Sequence, residues 1–370
     1  MTSAADDRDS RIHLVVLFGG ESAEHDVSCT TAAHVLAAAD PAKYRITPIG
    51  ISTDGQWALA DGAVAALAAG PDSLPAQLDP SGTGVSPTPL LADVASSTAR
   101  TVVMPLLHGP MGEDGTVQGL LELADVAYVG SGVLGSAVAM DKAMAKEVAA
   151  AAGIPQAAHR VVHEHEVEPT TAGRLADELG LPAFVKPANM GSSVGVSKVR
   201  SVEEMRDAIE VALTYDSVVI VEEGVVGKEI EVAVLGNTEP VAATPGEIVP
   251  GDDFYSYDDK YLDDGSYAVI PAPIGDTALA EAKELAIRSF RALRCEGLAR
   301  VDFFWEDPAD PEGRGRGFLL NEVNTMPGFT PISMFPKMWI ADGVSYPEII
   351  DRLVELAIDR HSRRRRNTKR

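Results

Sequence analysis

Two short runs in the last third of the chain constrain its fold more than any other feature. In Leu298–Trp305 (LARVDFFW), Arg300 and Asp302 alternate with Val301 and Phe303. In Asn321–Asn324 (NEVN), Glu322 and Asn324 flank Val323. Side chains two apart on a strand share a face, so each run has one apolar side and one polar side. Between them lies EDPADPEGRGRG, a stretch of turn-forming residues. The two strands are therefore predicted to pair as an antiparallel hairpin. One face then carries Arg300, Asp302, Glu322 and Asn324: two carboxylates and a carboxamide beside a fixed positive charge. Mg²⁺ takes hard oxygen ligands at about 2.1 Å, with phosphates and water completing its octahedron. A polar sheet face held by ordinary salt bridges is the plainer alternative. The Pro327-Gly328 turn that follows favours the metal site.

Composition excludes several classes. The 370 residues are 45% hydrophobic and 23% charged, an ordinary globular balance with room for two or three domains. No apolar run approaches the length of a membrane span, and the polar N-terminal segment does not read as a signal peptide. Two cysteines, Cys29 and Cys295, argue against a disulfide scaffold and fit a reducing cytoplasm. Neither has a local His partner, so both read as structural thiols. The net charge is −24, and seven Lys and Arg with no acid fall between Arg360 and Arg370. The rest of the chain is thus more acidic still, which repels nucleic acid. The terminal basic tract reads as a solvated, frayed end.

Periodicity divides the chain into two textures. Ile12–Phe18 is a continuous apolar run ending in Gly19-Gly20, the pattern of a buried parallel strand. A helix over 25–39, strands over 44–51, 101–107 and 126–128, and a helix over 142–152 continue a doubly wound α/β unit. The stretch 71–100, rich in Pro, Gly, Ser and Ala, is predicted to be a long mobile surface excursion. Beyond Gly153, strands over 183–187, 196–199, 218–222, 230–235, 298–305 and 318–323 surround helices over 174–179, 202–213 and 278–292. That half reads as α+β with antiparallel sheets.

Two further segments carry chemistry. Phe184-Val185-Lys186-Pro187 followed by Gly191-Ser192-Ser193-Val194-Gly195 sets a strand lysine beside a Gly/Ser loop that can cover phosphates. It is not a P-loop, because Gly227-Lys228 is followed by Glu229, and no GxGxxG fingerprint supports a dehydrogenase. His108-Gly-Pro-Met-Gly-Glu-Asp-Gly115 places three glycines around one His and two acids, a backbone shaped for close ligand approach. His163-Glu-His-Glu166 lacks the spacing of a zinc helix and reads as solvated surface.

These residues resemble the D-alanine–D-alanine ligases of the ATP-grasp superfamily. The likeness runs along nearly the whole chain through GGESAEHDVS from Gly19, HGPMGEDGTVQG from His108, VKPANMGSSVGVSKV from Val185 and NEVNTMPGFTPIS from Asn321. The turn between Trp305 and Phe318 is longer than usual for the family, and is expected to extend a surface turn without touching the site. The Ala/Pro-rich stretch before Arg100 also looks inserted.

The resemblance implies an N-terminal α/β substrate domain (1–139), a central lid (140–224), a C-terminal catalytic domain (225–360) and a basic disordered tail (361–370). It implies a cytoplasmic, homodimeric enzyme of peptidoglycan precursor synthesis, with two D-alanines and ATP as substrates and no nucleic acid or membrane partner. A D-alanine–D-lactate ligase and a non-enzymatic nucleotide-binding module are the alternatives. Asp302, Glu322 and Asn324 would hold two Mg²⁺, with Mn²⁺ able to substitute. Lys142, Lys186, Ser192 and Lys260 would contact ATP, and Glu222, Val225 and Glu229 would line its adenine and ribose. Glu24 would hold the first ammonium and link through Ser192 to Tyr261, with His108 near that substrate. Arg300 and the Gly328 N–H would form the oxyanion site, while Ser333 with Lys260, and Met334, would receive the second substrate. Tyr261, which D-lactate-accepting members can replace by Phe, points to D-alanine as that substrate.

Overall fold

The structure, a computed structural model, describes residues 10–96, 100–249, 267–310 and 314–364. The described residues fall into two compact units. One gathers the chain up to Leu107, Gly119–Val129 and the stretch from Ser345; the other holds His108–Gln118 and Gly130–Val344.

In chain order the first elements are β1 (Ile12–Gly19), α1 (His25–Ala38), β2 (Tyr44–Ile51), β3 (Trp57–Leu59), α2 (Asp61–Ala69), β4 (Thr83–Gly84), α3 (Pro87–Ser96), β5 (Thr101–Pro105), α4 (Thr116–Leu123) and β6 (Ala127–Tyr128). The six strands form one sheet in the order β4-β3-β2-β1-β5-β6. β2, β1, β5 and β6 run parallel, and β3 and β4 add an antiparallel edge. Leu14 to Phe18 are fully buried, which is why β1 reads as an unbroken apolar run rather than an alternating one.

The second unit continues with α5 (Val133–Met140), α6 (Lys142–Ala151), β7 (His159–His163), α7 (Thr171–Leu179), β8 (Ala183–Pro187), β9 (Ser197–Val199), α8 (Val202–Leu213) and β10 (Val218–Glu223). β11 (Lys228–Gly236), β12 (Val241–Ala242), β13 (Gly246–Val249), β14 (Tyr267–Val269), α9 (Asp276–Ala292), β15 (Gly297–Glu306), β16 (Gly317–Asn324) and α10 (Met334–Ala341) follow. Two antiparallel sheets result, β7-β10-β8-β9 and β14-β13-β11-β15-β16, with β12 paired to β11. The smaller sheet packs on α7 and α8 through Leu175, Val185, Met205, Ile209, Val219 and Val221. Ser201 caps α8 by accepting the Glu204 N–H, and α7 stops at Gly180, whose φ of +78° suits glycine. The larger sheet buries Val232, Val234, Val301, Phe303 and Phe318 against Phe290 of α9. Phe303 and Phe318 meet edge to face, 5.8 Å between ring centres.

The first unit is completed by α11 (Tyr346–Arg364), whose Ile349, Ile350, Leu353 and Val354 are buried. Two expectations change here. The basic tract does not fray from Arg360: that side chain is 3% exposed, lies 3.9 Å above the Tyr128 ring and donates to the Tyr128 hydroxyl at 3.2 Å. Arg364 pairs with Glu122, so the tract stays helical to the last described residue before 365. The acids at the end of α4 attract what composition alone read as solvated charge. The stretch 71–100 is also more structured than expected. Gly50 leaves room for Pro80, β4 adds to the sheet, and Leu78 and Leu91 are buried. Two apolar anchors suffice to dock a segment whose composition looks like linker. Among the described residues no helix is long and apolar enough to cross a membrane.

Candidate functional site

The expected hairpin forms. Arg300 faces Asn324 and Asp302 faces Glu322 across β15 and β16, while Val301 pairs with Val323. A bulge between Asp302 and Phe303 then slips the ladder by one residue, so that Phe303 pairs with Leu320. The slip places Asn321 and Glu322, neighbours in sequence, both half-buried on the wall of one cavity of about 450 Å³.

Lys142, Lys186, Ser192, Glu222, Val225, Glu229, Arg300, Asp302 and Glu322 all line that cavity. On one side Glu222 sits between two cations, 2.7 Å from Lys146 and 2.6 Å from Lys186. Burial by itself would raise the Glu222 carboxyl, but the two lysines outweigh it and hold it well below the usual carboxylate range. Burial likewise opposes the charge on Lys186, and Glu222 overcomes it, so Lys186 stays protonated. Lys142 differs: burial pulls it below the ordinary lysine value, with Glu322 3.9 Å away only partly opposing. Its ammonium also donates to the Met190 carbonyl at 2.6 Å, bracing the start of the Gly/Ser loop. In that loop Ser192 and Ser193 adopt left-handed backbone, φ +48° and +58°. Gly195, at φ +72°, has room for no side chain, since a Cβ would meet Pro187 and Tyr215 at 2.8 Å.

On the other side Arg300 donates to both oxygens of Asp302, at 2.8 and 2.7 Å, and lies 3.3 Å from Glu231. Burial works against its charge, and Asp302 and Glu231 outweigh it, raising its pKa well above the ordinary value. Asp302 and Glu322, with Asn324 on the same face, supply two carboxylates and an amide oxygen. Those are the hard donors Mg²⁺ prefers. Among the described residues no group of three or more His, Cys, Asp and Glu is placed to hold a metal ion.

The remaining expected residues lie elsewhere. Asn324 accepts the Met326 N–H at 3.1 Å, and His108 donates from Nδ1 to the Met326 carbonyl at 3.0 Å. His108 Nε2 is buried with no hydrogen-bond partner among the described residues. The two acids after it cap their own loop: Glu113 accepts the Gly109 N–H and Asp114 accepts those of Met111 and Thr116. Gly328 lies against Ser333, whose Oγ accepts the Thr330 N–H at 3.2 Å, and buried Met334 opens α10. Glu24 belongs to the first unit, just before α1. Lys260 and Tyr261 lie outside the described residues.

Four residues escape the period-two reading. Lys146 stands one helical turn from Lys142, a spacing that could have found it. Glu231 shares a strand face with Glu229 and pairs with Asp302 in register. Asn321 follows only from the bulge. Glu223 overturns an expectation: Arg314 and Arg316 of the long β15–β16 turn both pair with it, and it lines the cavity. The turn therefore touches the site after all, because buried Glu223 needs cations that its own strand lacks.

Comparison with known proteins agrees with this geometry. Residues 13–131 match the family model described as D-ala D-ala ligase N-terminus, and 148–355 match the one described as D-ala D-ala ligase C-terminus. A D-alanine–D-alanine ligase of Bacillus pumilus is 46% identical over 363 residues, covering 95% of this chain and 97% of its own. One from Arthrobacter is 46% identical, with 94% of each chain covered. Among solved structures, the D-alanine–D-alanine ligase of Coxiella burnetii superposes with a TM-score of 0.79 at 36% identity, covering 96% of each chain. The VanG D-Ala:D-Ser ligase of Enterococcus faecalis gives 0.78 at 34% identity, covering 94% of this chain and 99% of its own. The α/β sheet and the two antiparallel sheets are thus the ATP-grasp architecture expected from the sequence. Matched in order through both halves and along nearly its whole length, the chain belongs to the D-alanine–D-alanine ligase family.

Proposed function

We propose that this protein joins two D-alanines into D-alanyl-D-alanine at the expense of ATP, through an acyl phosphate, to supply peptidoglycan precursors in the cytoplasm as a homodimer. The observation that carries this reading is the paired arrangement in one cavity: two lysines flanking Glu222 on one side, and Arg300 with Asp302 and Glu322 on the other. Such a cavity suits an anionic nucleotide in a protein that is acidic overall. Lys142 and Lys186 would receive the phosphates, with the Gly/Ser loop closing over them. Glu222, Val225 and Glu229 would hold adenine and ribose. Asp302, Glu322 and Asn324 would hold Mg²⁺ (or Mn²⁺), which when bound offsets the charge of the β- and γ-phosphates.

The first D-alanine carboxylate attacks the γ-phosphorus and ADP leaves, giving an acyl phosphate. The amine of the second D-alanine, having lost its extra proton, attacks that carbonyl, and phosphate departs. Arg300 and the Gly328 N–H would face the oxygen that becomes negative in the tetrahedral intermediate. Glu24, Ser192 and Tyr261 would form the hydrogen-bond chain that orients the first substrate, His108 would stand near it, and Ser333, Met334 and Lys260 would receive the second.

The test is ADP release measured with D-alanine, L-alanine, D-alanine plus D-lactate, and D-alanine plus D-serine, with the products identified. D-Alanine alone should suffice and D-alanyl-D-alanine should dominate each mixture. ATP binding without D-alanine-dependent ADP release, or a preference for D-lactate or D-serine at neutral pH, overturns the reading.

A further inference from the structure

The turn joining β15 to β16 reaches Glu223 on the cavity wall through two guanidinium groups, and one of them, Arg316, also holds a second strand. Arg316 Nη1 lies 2.5 Å from Glu223 at the end of β10, while its Nε and Nη2 donate to Glu306 at the end of β15, at 2.9 and 2.6 Å. The Glu223 side chain is only 4% exposed, and it also accepts the Ala158 N–H at 2.8 Å and pairs with Arg314. Glu223 directly precedes the connection Gly224–Gly227, which lines the cavity before β11 begins. That connection is held on both flanks. The Gly224 N–H donates to the Pro182 carbonyl at 2.9 Å, and a Cβ on Gly227 would stand 2.7 Å from the Trp305 carbonyl oxygen. Trp305 is the residue before Glu306, so the Arg316 bridge and the Gly227 contact anchor the connection to the same end of β15.

We propose that Arg316 is a positioning residue for the nucleotide: bridging Glu223 and Glu306, it fixes the β10–β11 connection against which the base and ribose bind. The proposal rests on the assignment of Val225 and its neighbours to adenine and ribose made above. A planar fork is required, because only it reaches two carboxylates on different strands at once. Without it, Glu223 keeps the Ala158 N–H and Arg314, a mostly exposed partner whose pairing is worth little. The connection then loses the tie from its Glu223 end to β15 and keeps only the Gly227 contact with Trp305. Since phosphate and D-alanine contacts lie on other segments, the defect should fall on nucleotide affinity and spare the chemistry.

The experiment compares Arg316→Gln, Arg316→Lys and Glu306→Gln, the last being a residue off the cavity wall. Losing a charge-assisted bridge of this kind should raise KM for ATP about tenfold in Arg316→Gln, with kcat and KM for D-alanine within about twofold. Arg316→Lys, able to hold one carboxylate but not both, should fall between, as should Glu306→Gln. Glu223→Gln combined with Arg316→Gln should be no worse than the worse single variant. Calorimetric titration with ATP alone reports the same loss even if D-alanine triggers no ADP release, so failure of the ligase reading and failure of this one are separable. An unchanged ATP affinity in Arg316→Gln, or parallel losses in kcat and both KM values, overturns the proposal. Should Arg316→Gln not fold, unchanged ATP affinity in both Arg316→Lys and Glu306→Gln does the same.

Discussion

Lys146→Met probes the charge cluster at the back of the cavity. Lys146 is 3% exposed on α6, and its ammonium lies 2.7 Å from one Glu222 oxygen while Lys186 lies 2.6 Å from the other. Breaking a buried pair by removing one partner costs about 3–5 kcal/mol. Here Glu222 retains Lys186 and methionine refills most of the volume, so the expected loss is at the lower end, about 3 kcal/mol. At about 2–4 °C per kcal/mol for a domain of this size, the apparent Tm should fall by about 6–12 °C. The effect has a pH signature. The two lysines overcome burial and hold the Glu222 carboxyl below its unfolded value. A group depressed in this way adds stability above its unfolded pKa and loses it as pH falls through the folded one. The deficit of Lys146→Met should therefore be complete at neutral pH and should narrow only in acid, as Glu222 takes up a proton first in the variant, which has lost one of its two cations, and at still lower pH in wild type. Thermal unfolding followed by circular dichroism across a pH series measures both quantities. A Lys146→Met protein as stable as wild type at neutral pH, or a deficit that does not change with acid, refutes the assignment of Lys146 as a partner of ionised Glu222.

Three further outcomes are expected. Glu322→Gln should fold normally yet lose turnover by about a hundredfold or more and need higher Mg²⁺, because charge falls while shape is kept; normal rate and Mg²⁺ dependence in the folded variant would remove Glu322 from the metal site. Amide exchange over Gly191–Gly195 should slow when ATP and a substrate analogue are added together, and unchanged exchange there would rule out a closing loop. Burial pushes the Cys29 and Cys295 thiols up to about 12, so iodoacetamide at about pH 8 should modify neither until the protein unfolds; rapid alkylation of the native protein would contradict that.

Most of the fold could be read because its strongest signals are local. The apolar run of β1, the alternation of β15 and β16, and the glycine after α7 each encode their own geometry. Arg300, Asp302, Glu322 and Asn324 followed from strand period alone, and their register partners bear this out. What escaped reading depends on neighbours distant in sequence. Asn321 reaches the cavity only because the ladder slips at Phe303, and no residue type announces that slip. Glu223 carries no local signal, since its partners come from a turn whose Asp, Pro and Gly content suggests open solvent. Arg360 looks like its basic neighbours in sequence, because its ring partner Tyr128 stands far away in the chain. Short strands such as β12 and β14 carry too few residues to show a period.

The return of α11 to the first unit has a consequence for how the chain can be made. The sheet of β1–β6 is synthesised early, yet the helix that packs on β5 and β6 comes only after everything from Gly130 to Val344 has been translated. Until then the surface that receives Ile349, Ile350, Leu353 and Val354 has no cover, and it offers nascent protein a sticky apolar patch. The second unit, made of His108–Gln118 and Gly130–Val344, waits for nothing after Val344. A premature stop just after Val344 would leave all six strands of that sheet in place, yet it would strip the helix that covers them and leave an apolar face for chaperones and proteases to find.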